Sequence, residues 1–294
     1  MMDMREMTSI KELAETAAAC GKRISDIVLE YECRTMEKAP GELLDKMRQR
    51  FLVMKQAAHD GLQPGLKSAS GLSGGDALKL KQAADKGLAF ADPLLDKILV
   101  KALAVSELNA SMGRIVAAPT AGSCGIIPAV LLTVMEERSI PEERIIMSLF
   151  TAGGIGKVIA RQSGISGAEG GCQAECGSAS AMAAAALTEV MGGNPSMAAN
   201  ACAIAMKNTL GLVCDPIAGL VEVPCIKRNA MGAVQALAAA EMALAGIESV
   251  IPADEVIMAA KSVGKLMPPA LKETAEGGLA ATPTGRRLAI AILN

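Results

Sequence analysis

The 294-residue sequence predicts an all-α protein, and three observations carry that reading. Apolar residues recur at three- and four-residue spacing along most of the chain. Alternating runs bounded by turn signals are missing. With 0 Trp, 1 Tyr and 3 Phe, the core must be built from Ala, Leu, Ile, Val and Met. Small side chains let helix axes approach closely, so a compact helical domain with a small-residue core is expected.

The elements follow in order. Ile10, Leu13, Ala17, Ile24, Ile27 and Val28 mark helix over 8–36, broken near Gly21. Leu43, Leu44, Met47, Phe51 and Met54 predict an amphipathic helix over 41–60. A Gly- and Ser-rich loop runs from Gly61 to Asp76 and contains Lys67 and Ser68. Asp92-Pro93 is a helix start, with Asp accepting from the first turn and Pro needing no N–H there. Leu94, Leu95, Ile98, Leu99 and Leu103 line one side of that helix.

A second turn-rich loop spans Ala118 to Gly125, and Ser123 is placed to cap the helix after it. Ser139 to Glu142 has capping-box spacing before another apolar helix. The Ala-rich run from Ala179 to Met191 ends at Gly192-Gly193, and Asn194-Pro195 restarts the helix. Helical patterns then run from Ile226 to about Gly246 and from Pro252 to about Leu266. Val221-Glu222-Val223 is the best strand candidate and is very short. The expected division is a helical segment, 1–87, packed against a larger helical domain, 88–294, with a single domain as the alternative.

Composition excludes several function classes. At 51% hydrophobic and 20% charged the chain is globular, not disordered. A net charge of −2 gives no footprint for nucleic acid or an anionic membrane. The charged amino-terminal run lacks a leader's apolar core, so a cytoplasmic location is expected. Ile115 to Met135 carries no charge, but Pro119, Pro128, Gly122 and Gly125 favour a buried loop and core helix over a membrane span.

Several chemistries fail on the residues. Thr151 and Val158 stand where a phosphate loop needs Gly and Ser or Thr, so the glycines at 153, 154 and 156 read as a packing device between helices. No CxxC pair occurs and His59 is the one histidine, which argues against a zinc site or a Ser–His–Asp triad. His59 reads as a solvated helix end. No Lys stands in a context suited to pyridoxal phosphate, and none is expected.

Three of the 8 cysteines sit in unusual surroundings. Cys172 follows Gly167, Gly170 and Gly171; Cys214 precedes Asp215-Pro216; Cys225 follows Pro224. Thiols on Gly- and Pro-fixed backbone suit an iron–sulfur cluster, and three ligands leave one iron of four open to substrate. On spacing alone, three buried structural thiols remain the other reading.

The run from Ser163 to Ala179 (SGISGAEGGCQAECGSA) and the run from Asn208 to Ala230 (NTLGLVCDPIAGLVEVPCIKRNA) resemble the α subunit of iron–sulfur-dependent bacterial L-serine dehydratase. Ala118 to Ala129 and Glu276 to Ala280 extend the resemblance over nearly the whole chain. It implies a [4Fe–4S] cluster held by Cys172, Cys214 and Cys225, with Cys124, Cys176 and Cys202 outside the ligand set. It also implies β-elimination of water from L-serine to give pyruvate and ammonia, and a separate β subunit that completes the site. Ala121 stands where relatives often have Asn, so a contact by that side chain is lost. The chain ends in Asn294, not in the cysteine by which some single-chain relatives cap the open iron.

The loops offer Gly-flanked N–H groups and short polar side chains for a substrate carboxylate. Ser68, Thr120, Gly122 and Ser123 are therefore candidates, with Lys67 as base, carboxylate anchor or plain solvated lysine. Glu169 and Glu175 flank Cys172, and a carboxylate beside an anionic cluster must be paired or protonated; Arg161 and Arg228 are the candidate partners. The α-proton base is unassigned and expected from the β subunit. An L-cysteine desulfidase, a cluster-holding electron-transfer subunit and a metal-free helical interaction protein are the rival readings.

Overall fold

The computed structural model describes residues 7–293. The amino-terminal run through Glu6 and the terminal Asn294, on which the leader and self-capping expectations bear, lie outside the described residues. The first helices are α1 (Ile10–Ala19), α2 (Ile24–Met36), α3 (Pro40–Asp60), α4 (Asp76–Asp85), α5 (Pro93–Ala110) and α6 (Ile126–Glu137). They continue as α7 (Glu142–Ser163), α8 (Gly167–Gly170), α9 (Ser178–Val190), α10 (Pro195–Lys207), α11 (Cys225–Leu244), α12 (Ala253–Leu266) and α13 (Pro283–Leu293). Among the described residues the one β-type pairing is an isolated bridge between Cys214 and Lys272. Val221-Glu222-Val223 is thus a turn rather than a strand; it leads straight into α11.

The Ala-rich α9 is the axis of the fold, with all of its residues buried. A helix without a polar face can only sit inside, and α6, α7, α10 and α11 surround it. Its one acidic residue, Glu189, is satisfied there by the backbone N–H of Ser25 at 3.1 Å and the Thr151 hydroxyl at 2.8 Å. That carboxylate joins α2, α7 and α9 in one contact.

The glycines at 153, 154 and 156 lie inside α7, not between helices, because the chain stays helical through them. Two of them mark close crossings. A Cβ on Gly154 would fall 2.4 Å from Val28 Cγ2, and one on Gly156 2.7 Å from Met182 Cε. Ser139 does not cap α7. It takes φ +51° in turning out of α6, with Ile140 N bonded to Met135 O at 3.0 Å, and α7 begins after Pro141. Ser123 likewise does not cap α6, whose N-cap is Gly125. Asp92 and Asn194 do cap their helices, accepting from Leu94 N at 2.8 Å and Met197 N at 2.9 Å.

α2 packs on α7, and α3 and α4 pack on α5, in a buried core that runs from Met7 to Ala260. Among the described residues no helix is long and apolar enough to cross a membrane.

Two core thiols make stability depend on pH. Burial pushes Cys124 and Cys202 up to about 12, whereas an unfolded thiol ionises near ~8.5. The unfolded chain therefore loses these protons first. Their contribution is intact below about pH 8.5 and is lost as pH rises towards 12, at about 1 kcal/mol per pH unit per thiol. Urea midpoints should fall between pH 8 and pH 10. The double variant Cys124→Ala, Cys202→Ala should show a shallower decline, and an unchanged slope would reject the account.

Candidate active site

Cys172, Cys214 and Cys225 are all buried, and each lies within electrostatic reach of the other two. Cys172 leads into a wide π-type turn, Gln173–Gly177, that feeds α9. Gly171 before it takes φ +78°, and a Cβ there would fall 2.8 Å from Leu212 O. Only glycine lets this segment run beside the Cys214 loop. Gln173 ties the two, its N–H donating to Leu212 O at 3.0 Å and its Oε1 accepting from Gly211 N at 2.9 Å.

Cys214 is gripped from the other side by the carboxy-terminal strap. Its N–H donates to Leu271 O at 2.9 Å, and its carbonyl accepts from Glu273 N at 2.7 Å. Cys225 opens α11 directly after Pro224. Asn229, one turn on and buried, donates to Cys225 O at 2.9 Å and to Gly122 O at 2.7 Å, and accepts from Gly125 N at 2.9 Å. One amide thus fixes the Cys225 turn to the 118–125 loop.

The electrostatics differ among the thiols. A hydrogen bond with Cys176, whose sulfur is 3.4 Å away, and the charge of Arg228 favour the Cys172 thiolate. Burial pushes Cys225 up to about 12 and Cys214 further up, with Cys172 adding to both. Free, these two keep their protons at neutral pH, so binding a metal group there must release them. Arg228 donates to Val213 O at 2.7 Å and pairs with buried Asp215 at 2.9 Å, and Asp215 Oδ2 accepts from Leu279 N at 2.8 Å.

Among the described residues no three His, Cys, Asp or Glu side chains converge as a single metal ion needs. A cluster makes a different demand, because its anchoring sulfurs bind different irons and stand wider apart. The donor set fits that demand: three buried thiols on three separate turns, with Gly167, which has no side chain, beside one of them. A Cβ on Gly167 would lie 3.0 Å from both Cys214 Sγ and Glu175 Oε2. Gly167→Ala should therefore fold but lower the iron retained per chain after anaerobic reconstitution. Full iron content in that variant would reject the crowding argument.

The remaining sequence candidates fall into two groups. Thr120, Gly122 and Ser123 stand at the site. The Thr120 hydroxyl favours the ionised Glu175 carboxyl, the Gly122 Cβ position is 3.1 Å from Glu175 Oε2, and fully buried Ser123 lies 3.1 Å from the Thr120 hydroxyl. Ser68 is committed to its own loop, with its hydroxyl accepting from Ser73 N at 3.2 Å. That loop reaches the Cys225 turn through buried Glu222, which accepts from Ser70 at 2.8 Å and Ser73 at 2.6 Å. Lys67 is exposed on the same loop.

Glu169 and Arg161 are exposed. Arg228 pairs with Asp215, not with Glu175. His59 is exposed beside Asp60, in a groove of about 540 Å³ lined by Lys55, Lys97 and Glu136, where no site cysteine is found.

Sequence reasoning missed Glu222, Asn229 and the Asp215–Leu279 contact. A signal for the last existed in Glu276-Gly-Gly-Leu-Ala280. Gly278 in that run takes φ +57°, and a Cβ there would meet Asp215 Oδ2 at 2.3 Å.

The chain matches the family model described as serine dehydratase alpha chain over residues 19–280. It is 52% identical over 280 residues to a probable L-serine dehydratase, alpha chain, of Bacillus subtilis, covering 95% of this chain and 93% of that one. It is 43% identical over 282 residues to the L-serine dehydratase, alpha chain, of Peptoniphilus asaccharolyticus, covering 96% and 97%. A Streptomyces coelicolor L-serine dehydratase is 42% identical over 275 residues, 92% of this chain but 59% of that protein.

Proposed function

Because this chain belongs to the serine dehydratase alpha-chain family, we propose that it is the α subunit of an L-serine dehydratase. It converts L-serine to pyruvate and ammonia, works in the cytoplasm, and completes its site with a separate β chain. The observation that carries the reading is the meeting of Cys172, Cys214 and Cys225 on three Gly- or Pro-fixed turns in a chain of this family. These three residues would hold a [4Fe–4S] cluster. When bound, the cluster supplies a Lewis acid at its open iron, which makes the substrate's β-hydroxyl a competent leaving group.

The chain's own residues bind and orient the amino acid. The 118–125 loop, fixed by Asn229, presents Thr120 and the backbone around Gly122 beside the thiols. Short polar groups and N–H donors there suit the substrate carboxylate. The Ser68–Ser73 loop, held by Glu222, closes the neighbouring side. Rigid loops matter because elimination needs the Cα–H and Cβ–O bonds held in one reactive geometry. Coverage of nearly all of two α chains, against 59% of the Streptomyces protein, supports a partner that supplies the rest.

Anaerobic purification with and without a candidate β chain tests the proposal. Iron and sulfide should be present, the EPR spectrum should change on adding L-serine, and pyruvate should form with the β chain. Sulfide release from L-cysteine without pyruvate from L-serine would shift the reading to a desulfidase. Absence of iron after reconstitution would overturn it.

A further inference from the structure

One buried carboxylate outside the cysteine site has no partner. Asp96, in the first turn of α5, is 9% exposed, and among the described residues no hydrogen bond or ion pair reaches its side chain. The other buried acids, Glu107, Glu189, Asp215 and Glu222, all accept hydrogen bonds. The helix start does not need Asp96, because Asp92 already caps α5. An unmatched carboxylate in a protein wall costs stability, so one that is kept points to a group that matches it from outside the chain.

Asp96 stands on the wall of the groove of about 540 Å³ framed by α3, α4, α5 and α6. That volume lies in the ~300–1,000 Å³ range of small-molecule sites. Leu62, Val100 and Leu132 give the groove an apolar lining. Lys55, Lys81, Lys97 and Lys101 stand around it. Each already has a carboxylate: Glu142 at 3.0 Å, Asp85 at 2.6 Å, Glu137 at 2.5 Å and Glu136 at 2.8 Å in turn.

These charges exclude two classes of ligand. A polycation would face four ammonium groups, and a simple anion would face Asp96. A zwitterion satisfies both: its ammonium donates to Asp96 and its carboxylate lies against the lysines. The apolar lining then receives a side chain.

We propose that this groove binds a free α-amino acid with a large apolar side chain. Asp96 holds the ammonium, and Lys97 and Lys101 on the same helix hold the carboxylate. The inference does not rest on the serine-dehydratase reading, since no cysteine lines the groove. Occupancy has a structural consequence. α4 has one fully buried residue, Ala77, and it lends Lys81, Ala84 and Asp85 to the groove. A bound amino acid bridges α4 to α5, so slower hydrogen exchange in α4 is its signature.

Titration calorimetry on the full chain tests this with L-leucine, L-phenylalanine, L-leucinamide and N-acetyl-L-leucine, and hydrogen exchange locates the contact. L-leucine or L-phenylalanine should bind and slow exchange over 76–85 and 93–101. L-leucinamide lacks the carboxylate and N-acetyl-L-leucine lacks the ammonium, so each should bind at least about tenfold more weakly than L-leucine. Asp96→Asn should lower the affinity by about 10–100-fold while keeping the helical fold. The double variant Lys97→Gln, Lys101→Gln should lower it by about tenfold. That variant leaves Asp96 in place and decides the matter should Asp96→Asn not fold. Absence of binding by both amino acids at millimolar concentration overturns the inference. So does unchanged affinity in either variant, or equal binding of the two derivatives, which marks an apolar cleft without charge recognition. Slowed exchange confined to 118–125 and 208–225 also overturns it, by placing the amino acid at the cysteines.

Discussion

Cys225→Ser should abolish iron retention and pyruvate formation while leaving the helical fold in place. The same holds for Cys172→Ser and Cys214→Ser. Serine is nearly the same size, so the buried sites stay filled, but its hydroxyl does not ionise to a soft ligand as a thiol does. Each variant leaves two anchoring thiols for a cluster that the proposed reading holds by three. Cys176→Ser is the control. Cys176 lies 3.4 Å from Cys172 and is buried with it, yet the proposed ligand set does not include it. Iron and sulfide analysis of the four variants after one reconstitution separates the sulfurs that bind from the one that accompanies them. Full visible absorbance in any of the first three would strike that residue from the set.

Glu107→Ala should be among the most destabilising single substitutions in the chain. Glu107 is fully buried and its carboxylate accepts the backbone N–H groups of Gly75, Asp76 and Ala77 at 3.1, 2.8 and 3.2 Å. It therefore caps α4 from outside and closes the loop that carries Lys67 and Ser68. Removing it strands three donors, at about 1–3 kcal/mol for each that stays buried. The sum is a large share of the ~5–15 kcal/mol that separates folded from unfolded chains. Glu107→Gln keeps one acceptor oxygen and should lose less. Urea denaturation of both variants measures the difference, and Glu107→Ala within ~0.5 kcal/mol of wild type would refute the role. A variant that survives should still show a loosened 66–77 segment by hydrogen exchange.

The substitutions divide along the line between what was legible in the chain and what was not. α5 and α10 were legible because Asp92-Pro93 and Asn194-Pro195 write their starts into adjacent residues. α9 was legible because an Ala-rich run states its own burial. α4 and α13 were not. α4 has one fully buried residue, Ala77, and its start is held by a carboxylate some thirty residues away in sequence. The glycines of α7 are packing positions, as the sequence suggests, but they lie inside a helix rather than between two. A glycine run reads locally as a break, and only Val28 and Met182 pressing on it explain why the helix continues.

The candidate site shows the same divide. Three cysteines beside Gly and Pro could be picked out, since those residues fix backbone wherever they occur. In the sequence Glu175 is legible only as a charge near Cys172, with Arg161 and Arg228 as candidate partners, and Arg228 is bound to Asp215 instead.

The sequence by itself determined the helical class, most helix starts and the family, because all of these rest on periodicity, capping and motif, which are short-range. Tertiary structure alone decided which loop faces which thiol, that Glu107, Glu222 and Asn229 clamp segments distant in sequence, and that Glu175 points into the space left by Gly122 and Gly167. Those facts depend on where separate helices cross, and crossing is fixed by close packing of side chains that no local pattern records.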